Sequence, residues 1–166
     1  MDRHRYNGAN IMRVSRNFTL AEATKSSTAL RLGIDNTPSD DEIERIQFTA
    51  ERILQPPRQH YDIPFVPSSW YRCLALNRAI GSKDHSQHVK AEAVDFEIPG
   101  ISNVVLAHWL ADTLPDWDQI ILEFHDPDDG ANSGWVHASI SMDATANRKE
   151  LLTISKSGAV YGLPEL

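Results

Sequence analysis

Two histidines and an aspartate have the types and spacing of a metal site. In "SQHVKAEAVD", residues 86–95, His88 stands seven positions before Asp95, and the stretch turns apolar only towards its end. Imidazole nitrogen and carboxylate oxygen both suit a borderline cation such as zinc. Catalytic zinc sites commonly take three protein ligands and leave a position for water or substrate. A third ligand therefore has to come from a neighbouring element. Of the seven histidines, His137 in "GWVHASI" is the best placed. It sits in an alternating run, with Trp135, His137, Ser139 and Ser141 on one face and Val136, Ala138 and Ile140 on the other. The competing reading is a polar residue on an exposed strand face.

A carboxylate beside such a site would make a general base. If "QIILEF" pairs with "WVHASI" about a loop centred near Gly130, Glu123 stands across from His137 and Phe124 across from Val136. Ile120, Leu122 and Phe124 then join Val136, Ala138 and Ile140 in the core. A one-residue slip would bury Glu123. An exposed cross-strand polar pair is the plainer alternative.

The elements that must position these groups can be read from caps and periodicity. "NFTLAEATKSSTALRLG" has a helix start at Thr19, followed by Glu22. "NTPSDDEIERIQFTAERILQPPRQHY" predicts a helix N-capped by Ser39, with Asp40, Asp41 and Glu42 in its first turn. Ile43, Ile46, Ala50, Ile53 and Leu54 form its apolar stripe, and Pro56 and Pro57 are expected to end it. "IPFVPSSWY" reads as a short strand and turn, and "CLALNRAIG" as a short helix closed by Gly81. "AEAVDFEI" reads as a strand with Ala91, Ala93 and Asp95 on one face. "NVVLAHWLADTL" is a helix, "WDQIILEFHD" and "GWVHASISM" are strands, and "LLTISKSGAVYGL" has room for a further strand or hairpin. Helices first, then strands with one helix between them, predict an α+β fold with a mostly antiparallel sheet and helices on one side. Residues 1–16 read as an N-terminal arm and 17–166 as one domain.

Composition narrows the function. The chain has 166 residues, 41% apolar and 23% charged, with a formal charge of −7, which suits one globular domain. The negative balance, without a Lys/Arg cluster, disfavours nucleic acid and anionic membrane surfaces as partners. No transmembrane run and no secretory signal are visible, so the expectation is a cytoplasmic chain as synthesised. If it acts outside that compartment, a partner or lysis has to deliver it. The single cysteine, Cys73, excludes an internal disulfide framework and a multi-cysteine zinc site. Nucleotide-binding, H-E-x-x-H, S-x-x-K and G-x-S-x-G signatures are absent. A monomer is expected.

"SQHVKAEAVD" resembles the S-x-H-x-x-G-x-A-x-D signature of the zinc D-alanyl-D-alanine peptidases. That family holds carboxypeptidases, dipeptidases and phage L-alanyl-D-glutamate endolysins, and shares its core with the hedgehog signalling domain. Ser86, His88, Ala93 and Asp95 match, and Ala91 replaces the glycine. "GWVH" resembles the W-x-H element. "SSWYRCLALNRAIG" is similar to the S-G-Y-R-S…N…G segment through Ser69, Tyr71, Arg72, Asn77 and Gly81. The segment from Asn17 resembles a phage and bacterial branch. The resemblance implies the hedgehog-like fold and a Zn2+ cofactor held by His88, Asp95 and His137. It also implies a peptidoglycan or cell-wall peptide substrate and contact of Arg72 with the substrate carbonyl or oxyanion, a task that suits a guanidinium fork. Ser86, Tyr71 and Trp135 are the residues expected to shape or contact the substrate pocket. Many relatives carry the catalytic acid three residues before the last histidine. Here that position is Gly134, and Glu123 is the expected replacement, with Asp126, Asp128 and Asp129 behind it. His85 and His125 lie near the site in sequence. The alternative is a zinc-containing wall-binding or structural module that hydrolyses nothing.

Overall fold

The computed structural model describes residues 11–130 and 132–166. Helices come first: α1 (Leu20–Thr24), α2 (Ser27–Leu32), α3 (Asp40–Thr49), α4 (Gln55–Tyr61) and α5 (Leu74–Ala79). Thr19 and Ser39 start α1 and α3 with capping boxes closed by Glu22 and Glu42, each side chain satisfying an amide the helix leaves open. The predicted segment from Thr19 is two helices rather than one, broken at Lys25, whose backbone is extended.

Pro56 and Pro57 do not end the long helix. A π-helical turn, Ala50–Leu54, joins α3 to α4, and the prolines occupy the first turn of α4. Proline is tolerated there because a first-turn amide needs no intrahelical acceptor. "IPFVPSSWY" is no strand. Pro64 and Pro67 lack ladder donors, and the segment makes one isolated bridge, Ser69 to Asp95.

The sheet has five strands in the order β1 (Ala93–Phe96), β3 (Trp135–Ser139), β2 (Gln119–Glu123), β4 (Glu150–Ser155) and β5 (Gly158–Tyr161). Among the described residues only the β2–β4 pairing is parallel. The fold is thus α+β with a mostly antiparallel sheet. α6 (Asn103–Thr113) packs on β2 and β3. Val94, Phe96, Ile120, Leu122, Val136 and Ala138 point to one face. They form the core with Leu106 and Leu110 of α6 and with Ile46, Ile53 and Leu54 of the long helix, all fully buried. The odd-numbered residues of β1–β3 are left for the other face, where Asp95, His137 and Glu123 lie.

The predicted register of β2 against β3 is wrong by two residues. Glu123 pairs with Trp135 and Ile121 with His137. Phe124 is not in the core: it is 60% exposed, takes φ 52° and packs against Trp135 with the rings tilted and their centroids 5.0 Å apart. The apolar pattern cannot separate the two registers, because a two-residue shift keeps every side chain on its face. Gly134 decides between them. Its φ is +70°, and a Cβ there would lie 1.9 Å from the carbonyl oxygen of Glu123. Only glycine lets β3 start beside the end of β2, and the same crowding explains why no acid can occupy this position. Gly134→Ala is expected to cost about 2–5 kcal/mol through left-handed strain and overpacking. A melting point within 2 °C of the parent, against an expected fall of roughly 5–20 °C, would refute this account of the turn.

Of the expected N-terminal arm, residues 1–10 lie outside the described residues. Val14 is buried in the core, and Ser15 donates to Gln55 at 3.1 Å.

Candidate metal centre

β1 and β3 bring Asp95 and His137 directly opposite each other on the face away from the core. His88 arrives from the turn before β1. The chain must reverse there, and Ala91 adopts φ 59° to do so. It is therefore not on the strand face with Ala93 and Asp95 as the alternation suggested. That left-handed conformation is one glycine reaches without strain, which accounts for the glycine in the signature this segment resembles. Ala91 is fully buried, and its carbonyl accepts from Thr49 at 3.1 Å.

Candidate ligand atoms of His88, Asp95 and His137 all lie within 4.8 Å of one another, and all three residues are buried. His88 Nε2 is 3.2 Å and His137 Nδ1 2.9 Å from the same oxygen, Asp95 Oδ1. His88 Nδ1 sits 2.7 Å from the carbonyl of Trp70. Donation to that carbonyl fixes the proton on Nδ1 and leaves Nε2 with a free lone pair towards the cluster, as metal-binding imidazoles are commonly oriented. Two imidazole nitrogens and one carboxylate oxygen in a buried cluster are a donor set that fits zinc.

Burial is the largest influence on Asp95 and would raise its pKa, but the adjacent histidines reverse it and hold the carboxyl below the ordinary range. Burial pushes the His88 pKa down, against the pull of Asp95. For His137, burial acts downward too, but the hydrogen bond and charge of Asp95 prevail and the net direction is up.

An irregular strap, residues 67–72, holds these groups in place. The amides of Ser68 and Ser69 donate to the Asp95 carbonyl at 2.9 and 3.4 Å, and the Asp95 amide donates back to Ser69 at 2.8 Å. The Arg72 amide donates to the His88 carbonyl at 3.2 Å. Its guanidinium donates through Nε to Ser69 Oγ at 2.8 Å and through Nη2 to Asp95 Oδ2 at 3.1 Å. A guanidinium has five N–H donors, so most remain for a ligand. Burial lowers the Arg72 pKa, opposed by Asp95 and Glu123.

Glu123 and Trp135 close the same face. Burial raises the Glu123 pKa, with His137 opposing and Asp95 reinforcing. The Trp135 indole N–H is buried and lies close enough to Glu123 to favour its charged form. A cleft of about 690 Å³ opens beside the cluster, lined by Arg72, Asp95, Trp135, Tyr71 and the turn between α1 and α2.

Other expected residues are placed less centrally. Tyr71 lines the cleft, but its hydroxyl donates to Glu42 at 3.0 Å, so it braces α3. Ser86 caps the local turn through its backbone, accepting from the Val89 amide at 3.0 Å. His85 is exposed. His125 is buried against Ser133 Oγ at 3.1 Å. Asp126 holds its own loop by accepting from the Asp128 amide at 3.1 Å and lies 3.6 Å from Lys156, while Asp128 and Asp129 are exposed. Asn77 is structural: it is fully buried and donates to the Lys83 carbonyl at 2.8 Å.

Three organisers had no readable signal in the sequence. Asn36 donates to the carbonyls of Thr24 and Tyr71 and accepts from the Cys73 amide at 2.7 Å, tying α1 to the strap. Asp118 is buried and receives Gln87 at 2.7 Å and Arg148 at 2.7 and 2.8 Å, anchoring the residue before His88. Asn103 donates to the Gly134 carbonyl at 3.1 Å and steadies the turn into β3. A capping or turn pattern would have revealed none of them, since their partners are distant in the chain.

A buried His-Asp-His cluster beside an open cleft on an α+β scaffold is the arrangement of a metallopeptidase. The chain belongs to the peptidase M15 family of zinc D-Ala-D-Ala carboxypeptidases: the sequence profile described as Peptidase M15 matches residues 16–122. The matched span includes Arg72, His88 and Asp95 and stops short of Glu123, Trp135 and His137. No curated protein matches the chain significantly. Among the described residues no helix is long and apolar enough to cross a membrane.

Proposed function

We propose that this protein is a zinc peptidase that hydrolyses peptide bonds in peptidoglycan stem peptides, with His88, Asp95 and His137 as metal ligands. The observation that carries this is the buried three-ligand cluster opening onto a cleft that Arg72 also lines. Zinc held there would supply Lewis-acid polarisation of the peptide carbonyl and a lowered pKa for water. The protein's own groups do the rest. Glu123 takes a proton from the attacking water and returns it to the leaving amine. Arg72 donates hydrogen bonds to the carbonyl oxygen as negative charge develops there. Ser69 and Asp95 fix the guanidinium, so little reorganisation accompanies the step. Trp135 and Tyr71 wall the cleft, and Ser86 supports the turn that carries His88.

Metal analysis of the purified protein, followed by incubation with peptidoglycan and mass spectrometry of the soluble products, tests this reading. Loss of a terminal D-alanine marks a carboxypeptidase, and stem peptides freed without their first L-alanine, which stays on the glycan, mark an L-alanyl-D-glutamate endopeptidase. Zinc at one equivalent with no product from any wall preparation would favour a binding module instead.

Arg72→Lys is expected to keep the fold and the metal and to lower kcat/KM about 10²–10³-fold, the usual cost of losing one preorganised oxyanion donor. Lysine is a point charge and cannot hold Ser69, Asp95 and substrate together. Turnover within twofold of the parent would remove Arg72 from the chemistry.

A further inference from the structure

His88 is the one candidate ligand that no strand pairing places. Asp95 and His137 face each other across β1 and β3, whereas His88 stands in the turn before β1. The strap holds it from one side, through the Arg72 amide at its carbonyl and the Trp70 carbonyl at its Nδ1. Gln87, the residue before it, supplies a second hold: its Nε2 donates to Asp118 Oδ2 at 2.7 Å. Gln87 is also where the turn closes. Its carbonyl accepts from the Lys90 amide at 3.1 Å and from the Glu92 amide at 3.0 Å.

Asp118 is a firm anchor for that bond. It is 3% exposed. Its amide donates to the carbonyl of Ser139, two residues beyond His137 on β3, at 2.7 Å. Its Oδ1 accepts from the Arg148 amide at 2.9 Å and from Arg148 Nε at 2.8 Å, and its Oδ2 accepts from Arg148 Nη2 at 2.7 Å as well as from Gln87. Burial would raise the Asp118 pKa, but these bonds prevail and the net direction is down. A charged acceptor makes the stronger kind of hydrogen bond. One residue thus ties the turn that carries His88 to the strand that carries His137.

We propose that Asp118 is a positioning residue of the metal centre, which through Gln87 fixes the His88 imidazole relative to His137. The inference rests on the three-ligand site proposed above and adds a residue that reaches His88 only through its neighbour. Partners that orient a metal-binding histidine commonly bear on affinity by about 10–100-fold. Asp118 acts one residue further out, so the lower end, ~10-fold, is expected.

The test measures zinc Kd by competition with a chromophoric chelator, and amide exchange in the zinc-free protein. Gln87→Met removes the bond but leaves the Asp118 carboxylate paired with Arg148, so the fold should hold. Its zinc Kd should weaken about 10-fold. Without zinc, its Lys90 and Glu92 amides should exchange faster than in the parent, while those of Leu122 and Val136 in the core strands should not. Asp118→Asn combined with Gln87→Glu keeps the total charge and reverses the bond: the side chain at 118 donates, the one at 87 accepts, and the amide oxygen at 118 can still accept from Arg148. Zinc Kd in that double variant should return to within about threefold of the parent. A Kd for Gln87→Met within about twofold of the parent, or a double variant as weak as Gln87→Met, overturns the role of Asp118. Faster exchange at Lys90 and Glu92 with an unchanged Kd overturns it too, because the bond would then hold the turn without holding the ligand. If the parent takes up no zinc, the metal reading falls and this inference with it. If the parent binds one equivalent and Gln87→Met binds it equally well, only the role of Asp118 falls.

Discussion

His137→Ala is expected to abolish stoichiometric zinc binding while leaving the fold in place. In the proposed site His137 is one of three donors, and it stands opposite Asp95 across β1 and β3. Its loss should weaken affinity by more than the ~10–100-fold typical of removing an outer-shell partner. Its side chain lies on the face away from the core, so Val136 and Ala138 keep their packing. Asp95 loses one hydrogen bond but retains Arg72 and His88, a change worth about 1–3 kcal/mol. Metal content after dialysis is the direct measurement. A second readout is thermal: zinc should raise the melting point of the parent by mass action, and chelator should lower it, with neither effect in the variant. His85→Ala, at an exposed position, is the control expected to bind zinc like the parent. One full equivalent of tightly held zinc in His137→Ala would exclude this ligand set. His88→Ala and Asp95→Ala should behave like His137→Ala.

Period-two alternation shows why this much of the site was legible. It assigns faces, and the faces of Asp95, Glu123 and His137 are as expected. It cannot assign register, and the two-residue error at Glu123 follows directly. The capping residues Thr19 and Ser39 were readable because a helix start satisfies its amides within three residues. The strap was not readable, since its bonds run from Ser69 and Arg72 to Asp95, and nothing local in "VPSSWYR" announces them. The continuation through Pro56 and Pro57 was missed because the π turn depends on tertiary packing of Ile53 and Leu54 rather than on local propensity. The parallel pairing of β4 with β2 likewise rests on long-range contacts.

Glu123→Gln is expected to leave fold and zinc content unchanged while hydrolysis falls by about 10²–10⁴-fold, the usual contribution of a positioned general base. The corrected register alters the geometry but keeps the prediction. Glu123 is now a diagonal neighbour of His137 across β2 and β3, paired with Trp135, and diagonal neighbours ~7–8 Å apart remain within reach of long side chains. Its charge is felt by both His137 and Arg72, which puts the carboxylate on the site side of the sheet. The family's more common acid position is closed here, because a side chain at Gly134 would collide with the Glu123 backbone. The loop carboxylates are weaker candidates, since Asp126 is engaged with the Asp128 amide and lies near Lys156 while Asp128 and Asp129 face solvent. Gln matches Glu in shape, so a loss of rate with intact zinc isolates proton transfer from packing. Asp126→Asn, measured alongside, should stay within a fewfold of the parent. If Glu123→Gln retains full activity and Asp126→Asn loses it, the base belongs to the loop after β2, and the face shared by Glu123, Trp135 and His137 serves only to shape the cleft.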